Sequence, residues 1–396
     1  MVKIKKEKVL VRPCDIKPSS KDFEVIGTFN PGAMRLSNGD IILYVRVLER
    51  LKKIKDEKYF YSPRFIGQNK FKIKIDKFSH NSISEDSSFS FVFMDGTKRL
   101  TYISHLRKVI LDKSGLKVKS IDKKPSFFGL RWDGELGIED ARITKIGNLY
   151  VMTYVSLSRL ENVSTSYAIS NDGTRWFRRG VIFSEQNKDV VIFPELVNKK
   201  YVAINRPEGS FEFSHPHMWI SYSKDMELWG RQHPLIISKQ GDWDFGKVGA
   251  GPPPIKIEKG WLLFYHGIID NKEEKKYLNE RFSGKFKNFY LSLLGIDKKN
   301  PESIYCVGAA LFDLKNPGKL ILKTKSPLIF PNKKYEKAES GDIDNQSLRV
   351  VFPTGLVLDE NKKDLLLFLG AGDRVVTVKK ISLKDVFDSL DEVNLL

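Results

Sequence analysis

The hexapeptide Gly137-Ile138-Glu139-Asp140-Ala141-Arg142 carries two adjacent carboxylates and, two residues on, a guanidinium. It lies between an aromatic-rich approach (Phe127, Phe128, Trp132) and an apolar run from Asn148 to Val155 that reads as a strand. In extended chain, neighbouring side chains face opposite sides, so Glu139 and Asp140 are expected to do different jobs, with Arg142 on the side of Asp140. A carboxyl beside an arginine is held ionised and donates a proton only if desolvation or a ligand raises its pKa. On these six residues alone, an ion pair closing a strand entry outweighs a catalytic acid. The rest of the chain shifts that balance.

The surroundings predict strand after strand. Short apolar runs follow turn residues at Asp40 to Tyr44, Asn148 to Met152, Lys200 to Ile204, Gly260 to Tyr265 and Asp364 to Phe368. They are rich in β-branched and aromatic residues and bounded by Gly, Asn, Asp or Lys. Only the final stretch, Leu383 to Leu390 with Ser382 as its cap, reads as helix. Ser170-Asn171-Asp172-Gly173-Thr174-Arg175-Trp176 returns as Ser223-Lys224-Asp225-Met226-Glu227-Leu228-Trp229, 53 residues later. A period near 50 residues, with about four short strands in each, is the signature of propeller blades. The expectation is therefore an all-β, five-bladed β-propeller with a short C-terminal helix, a single domain over 1–396. A polar, lysine-rich insertion at about 49–88 is expected as a loop or hairpin over one face.

In a propeller the ligand site is built from single polar residues at strand ends, far apart in sequence. Asn30, Arg46, Asp140, Lys188, Arg206, Lys247, His266 and Asp373 stand at such ends. Each alone reads more simply as a salt-bridged or solvent-facing residue. Their placement at equivalent points of successive runs points to one site.

Composition narrows the class. The chain has 396 residues, 41% hydrophobic, enough for a large core, and a formal charge of +18. No stretch carries a nucleic-acid motif, so a solvated basic surface or an attraction for small anions is favoured over a specific nucleic-acid partner. Two cysteines, Cys14 and Cys306, make no disulfide framework. The basic N-terminus lacks the apolar core of a signal peptide, and no apolar run is long enough to span a bilayer. A cytoplasmic protein without membrane partners is expected, with a homo-oligomer left open. The histidines and cysteines show no zinc-like spacing apart from His215-Pro216-His217, so no metal is expected.

Several motifs together resemble glycoside hydrolase family 130. They include Asn30-Pro31-Gly32-Ala33, Gly137 to Ile143, Asn187 to Glu195 and Asn205-Arg206-Pro207. Lys247 to Lys256, Tyr265-His266-Gly267, Gly308 to Leu311 and Val350 to Gly355 follow in the family's order, over roughly residues 25 to 375. Tyr61-Ser62-Pro63-Arg64 and Leu100 to Arg107 resemble members acting on β-1,2-linked mannosides. The resemblance implies a five-bladed propeller and, in most members, inverting phosphorolysis of β-mannosides. Such a reaction needs one acid and a cationic cradle for inorganic phosphate, which attacks from the opposite ring face.

By that resemblance Asp140 is the acid, protonating through a sugar hydroxyl. Lys188, Arg206 and Lys247, with His266 as a further contact, match the phosphate-binding positions. Asn30, Arg46, Tyr305 and Asp373 match the mannosyl-binding ones, with Glu139 and Arg142 beside them. Three departures stand out: Ala141 for the usual proline, Arg349 before Val350-Val351-Phe352-Pro353, and Gly372 in Gly370-Ala371-Gly372-Asp373. The last two touch the mannose side and bear on substrate identity. The expected activity is phosphorolysis of β-1,2-mannobiose or β-1,2-oligomannan to α-mannose 1-phosphate, with phosphate as co-substrate and no other cofactor. A hydrolase of the same fold and a non-catalytic carbohydrate-binding propeller are the alternatives.

Overall fold

Each apolar run becomes a strand with both faces covered, which is why it reads as continuous hydrophobic sequence rather than strict alternation. Asp364–Ala371 and Gly260–Ile269 are buried along their whole length. The computed structural model describes residues 1–208, 213–269, 304–338 and 349–393. Among these the protein is almost entirely β, with one short α-helix at Leu383–Phe387. Ser382 caps that helix, its hydroxyl accepting from Asp385 N at 3.4 Å.

The strands form antiparallel meanders of four. The first runs Phe23–Arg35, Ile41–Leu51, Tyr102–Leu111 and Val118–Ile121, and the second Gly137–Ile146, Leu149–Ser158, Asn162–Ser170 and Phe177–Phe183. The third runs Asn187–Ile192, Tyr201–Pro207, Met218–Ser223 and Trp229–Ile236. A larger, ten-stranded sheet contains two more. One runs Lys247–Ala250, Gly260–Ile269, Ile304–Phe312 and Leu320–Lys323; the other runs Arg349–Leu358, Asp364–Ala371 and Val375–Ser382, and is completed by the N-terminal strand Ile4–Val11. Among the described residues a short parallel step, Ile304 and Tyr305 beside Arg349 and Val350, joins these two. The five apolar runs picked out in the sequence are the second strands of the five meanders.

Apolar layers hold each meander on the next. Ile42 and Tyr44 pack with Ile138 and Met152, and Val151 and Tyr167 with Val190 and Ala203. Ile204 and Ile220 pack with Val248 and Leu263, and Phe264 and Val307 with Val351 and Leu367. Leu366 and Phe368 then return to Leu43 and Val45 of the first meander.

The repeated seven-residue motif is a turn between third and fourth strands. Asp172 Oδ1 accepts from Thr174 N and Arg175 N at 2.7 and 2.8 Å, and Asp225 Oδ1 from Glu227 N and Leu228 N at 2.9 and 2.8 Å. The tryptophans pack across meanders, Trp176 edge-on to Tyr44 and Trp229 against Phe183. Between Leu51 and Tyr102 the chain leaves the first meander for two small sheets, Tyr59–Phe65 with Ile73–Ser79 and Ile83–Asp86 with Ser90–Phe93 and Lys98–Leu100. This extra segment thus runs past residue 88 to Leu100.

Trp261 shows how much one inter-sheet contact carries. It is 2% exposed, edge-on to Phe193 at 5.3 Å, and its indole N–H donates to Leu314 O at 3.2 Å. Trp261→Ala is expected to cost about 3–5 kcal/mol through the cavity and the orphaned carbonyl. The check is a lower denaturant midpoint at unchanged slope in equilibrium unfolding.

Candidate active site

Three first strands share a local device. Asn30, Asp140 and Asp189 have φ of 46°, 49° and 55°, in the left-handed region that Asn and Asp tolerate better than most residues. At each the pairing register slips, between Phe29 and Gly32, Glu139 and Arg142, and Lys188 and Val191. A bulge of this kind re-aims the side chain that carries it. It also brings both carboxylates to one guanidinium: Arg46 grips Glu139 through Nη2 and Asp140 Oδ1 through Nη1, the latter at 3.0 Å.

Asp140 is thereby surrounded by donors. Besides Arg46, the Asn30 side-chain amide donates to Oδ1 at 3.0 Å. Burial pushes this carboxyl up, but Arg46, Arg142 and the Asn30 hydrogen bond outweigh it and hold the group below its ordinary value. Arg46 lies over the Phe29 ring at 4.7 Å, and burial of its guanidinium is outweighed by Glu139 and Asp140, which raise its pKa. Asp373 has φ of 49° and reaches the same space. Burial raises it to about 6; Arg46 opposes this, and the charges of Asp140 and Glu139 add to it. The preceding Gly372 needs its glycine: φ is 56°, and a Cβ would lie 2.8 Å from Tyr335 O.

Arg142 does not pair with the Asp140 carboxylate. Its Nη1 donates to the Asp140 carbonyl at 3.0 Å, Nε to Gly251 O at 2.7 Å, and Nη2 meets Asp189 Oδ1 at 3.2 Å. Asp189 Oδ2 in turn meets Arg206 Nη1 at 2.9 Å. Arg206 Nη2 reaches Glu208 Oε1 at 2.7 Å, and that same oxygen accepts from Lys247 Nζ at 3.2 Å. His266, fully buried, accepts from Arg206 Nη1 on Nε2 at 3.2 Å. Burial first, then the charges of Arg206, Arg142 and Lys247, drive its pKa well below the ordinary histidine value. The ring is neutral, with its proton on Nδ1. Gly249 lets this packing happen, since a Cβ there would come within 2.3 Å of Asp189 Oδ2 and 2.5 Å of the His266 ring.

The two ionic chains border one cavity of about 470 Å³. Asn30, Arg46, Asp140, Lys188, Arg206, Lys247, His266, Tyr305 and Asp373 all line it. Glu139 and Arg142 do not; both are buried behind the wall and act through Arg46 and Asp189. Burial raises Tyr305 to about 12, so it stands as a neutral hydroxyl. Val350 and Phe352, rather than Arg349, face the cavity from their strand. Asp189 and Glu208 join the site without having been picked out among its candidates in the sequence. Their only signal was adjacency, Asp189 next to Lys188 and Glu208 just after Asn205-Arg206-Pro207. The extra segment also contributes a wall, through Phe89, Ser90, Lys98 and Leu100, with Tyr102 beside it. Among the described residues no group of three or more His, Cys, Asp or Glu could hold a metal ion.

A carboxyl acid and a cluster of cations in one cavity on a β scaffold describe a glycoside-processing enzyme. Residues 97–281 and 285–392 match the sequence profile of glycoside hydrolase family 130, described as beta-1,4-mannooligosaccharide phosphorylase, and the chain belongs to that family. It is 30% identical over 391 residues to the beta-1,2-mannobiose phosphorylase of Listeria innocua, covering 97% of each chain. It is also 30% identical over 288 residues to the 1,2-beta-oligomannan phosphorylase of a Thermoanaerobacter species, covering 72% of this chain and 81% of the relative. The solved structure of the Listeria innocua enzyme with beta-1,2-mannobiose superposes with a TM-score of 0.75 at 28% identity, covering 96% of both chains.

The raised Asp373 has a consequence for stability. Its folded pKa of about 6 lies above the ordinary carboxyl value near 3.9, so the native state holds a proton that the unfolded chain gives up in between. Its contribution is complete below about pH 4 and is lost as pH rises through 6. Asp373→Asn is therefore expected to melt above the wild type at pH 7 in the empty state, with the gap closing toward pH 4. Thermal melts of both proteins across that range are the check.

Proposed function

We propose that this chain is an inverting β-mannoside phosphorylase, with β-1,2-mannobiose or a β-1,2-oligomannan as substrate and inorganic phosphate as co-substrate. The observation that carries it is one cavity lined both by Asp140 and by Arg206, Lys247 and Lys188. The near-full-length similarity to a β-1,2-mannobiose phosphorylase supports the linkage over the β-1,4 description attached to the family profile. We take the five meanders as blades of one propeller over 1–396, a reading supported by each packing on the next and the last on the first. Two free cysteines and the absence, among described residues, of a helix able to cross a membrane fit a cytoplasmic enzyme.

Asp140 supplies the proton that the leaving mannosyl oxygen needs, through a sugar hydroxyl. In the empty cavity its neighbours keep it ionised. Bound phosphate brings negative charge into the same space, which works against Arg46 and Arg142 and raises the acid toward its protonated form. Asn30, Arg46, Tyr305 and Asp373 hold the mannosyl unit through its hydroxyls. Arg206, with Lys188 and Lys247, holds phosphate on the opposite ring face, so that attack inverts the anomeric centre and gives α-mannose 1-phosphate. Neutral His266 donates no charge and keeps Arg206 turned toward the cavity. Glu139 and Arg142 position Arg46 and Asp189.

Asp140→Asn should leave the fold intact and lower turnover by about 100- to 10,000-fold, since the amide keeps the shape without the proton. Lys247→Ala should raise the phosphate KM by about 10- to 100-fold with little change in mannobiose affinity. Mannose 1-phosphate formation, followed against phosphate concentration, reads both. Wild-type protein that released free mannose equally fast without phosphate would instead mark a hydrolase. Phosphate should also raise the wild-type Tm by mass action.

A further inference from the structure

A carboxylate inside a phosphate cradle needs a reason. The Glu208 backbone N–H is anchored on Gln186 O at 2.9 Å, and its side chain is 21% exposed at the cavity wall. Its Oε1 lies 2.7 Å from Arg206 Nη2 and 3.2 Å from Lys247 Nζ, so any oxyanion held by these two cations has this oxygen as a neighbour. Asp189 is different in kind. It is 6% exposed, its Oδ1 accepts from Arg142 at 3.2 Å, and its Oδ2 lies 2.9 Å from the same Arg206 without a hydrogen bond.

An ionised carboxylate only accepts hydrogen bonds. Burial pushes Glu208 up, but Arg206, Lys247 and Lys188 outweigh it and keep it ionised. Two anions side by side repel unless one carries a proton that the other can accept. At neutral pH inorganic phosphate and arsenate still carry such a proton, and sulfate does not. A P–OH or As–OH turned to Oε1 makes a charge-assisted hydrogen bond, whereas a sulfate oxygen meets only repulsion.

We propose that Glu208 makes the cradle select oxyanions that still carry a proton, phosphate and arsenate, against fully ionised sulfate. The proposal rests on the phosphorylase reading of the same site. The test measures binding of phosphate, arsenate and sulfate by thermal shift and calorimetry, alongside their competition in mannobiose phosphorolysis, for wild type and Glu208→Gln. Wild-type protein is expected to bind arsenate within about tenfold of phosphate, and sulfate at least about 100-fold more weakly. In Glu208→Gln, whose amide can donate to sulfate, that preference should fall to within about tenfold. Sulfate binding to wild type within tenfold of phosphate, or an unchanged preference in the variant, would overturn the proposal. The wild-type ratios decide it even if the variant does not fold. The two readings fail separately: tight phosphate binding without formation of mannose 1-phosphate would overturn the phosphorylase reading and leave the selectivity standing.

Discussion

Two buried guanidiniums converge on one carboxylate, and the site is built around that meeting. Arg142 comes from the second meander, Asp189 and Arg206 from the third, and the His266 ring and the bare Gly249 backbone close in from the fourth. Removing a charge from water costs several kcal/mol, and loss of one partner leaves the other buried without compensation. The pairing therefore fixes three meanders relative to one another at the point where the oxyanion must sit. Arg46, between Glu139 and Asp140, does the same for the first and second.

The scaffold was legible where local sequence decides local structure. Apolar runs bounded by turn residues marked the second strands, and Ser-x-Asp-x-x-x-Trp marked a hydrogen-bonded turn that recurs with the same donors and acceptors. What could not be read was pairing between distant segments. Nothing in Ile4–Val11 says that its partner is Val375–Ser382, since register is set by the sheet it joins. The short strands Ser90–Phe93 and Lys98–Leu100 are too brief for a periodic signal, so the wall they lend the cavity was invisible.

For the site, the identity of the lining residues came through the motifs, while their directions did not. A period of two assumes regular strand, and the bulges at Asn30, Asp140 and Asp189 break it where the chemistry lies. Asp189 faces Arg206, and Arg142 faces Asp189 rather than the Asp140 carboxylate, because the bulges re-aim these side chains. The charge balance of the site was equally unreadable along the chain, since Glu208 and Asp189 stand among the cations only in space.

The strand that completes the last meander comes from the opposite end of the chain, with Ile4 beside Ile381. During synthesis, therefore, Ile4–Val11 emerges long before Val375–Ser382, the strand it pairs with. The first, second and third meanders, with Asp140, Lys188 and Arg206, can assemble as they leave the ribosome, whereas Asp373 and the pairing of Ile4–Val11 await Val375–Ser382. Such non-local closure is slow, because the loop entropy falls due before the contacts that offset it. In that interval Val376, Val378 and Val11, all buried in the finished molecule, stand open to water. For this protein the stage most exposed to aggregation is the one just before these two distant strands pair.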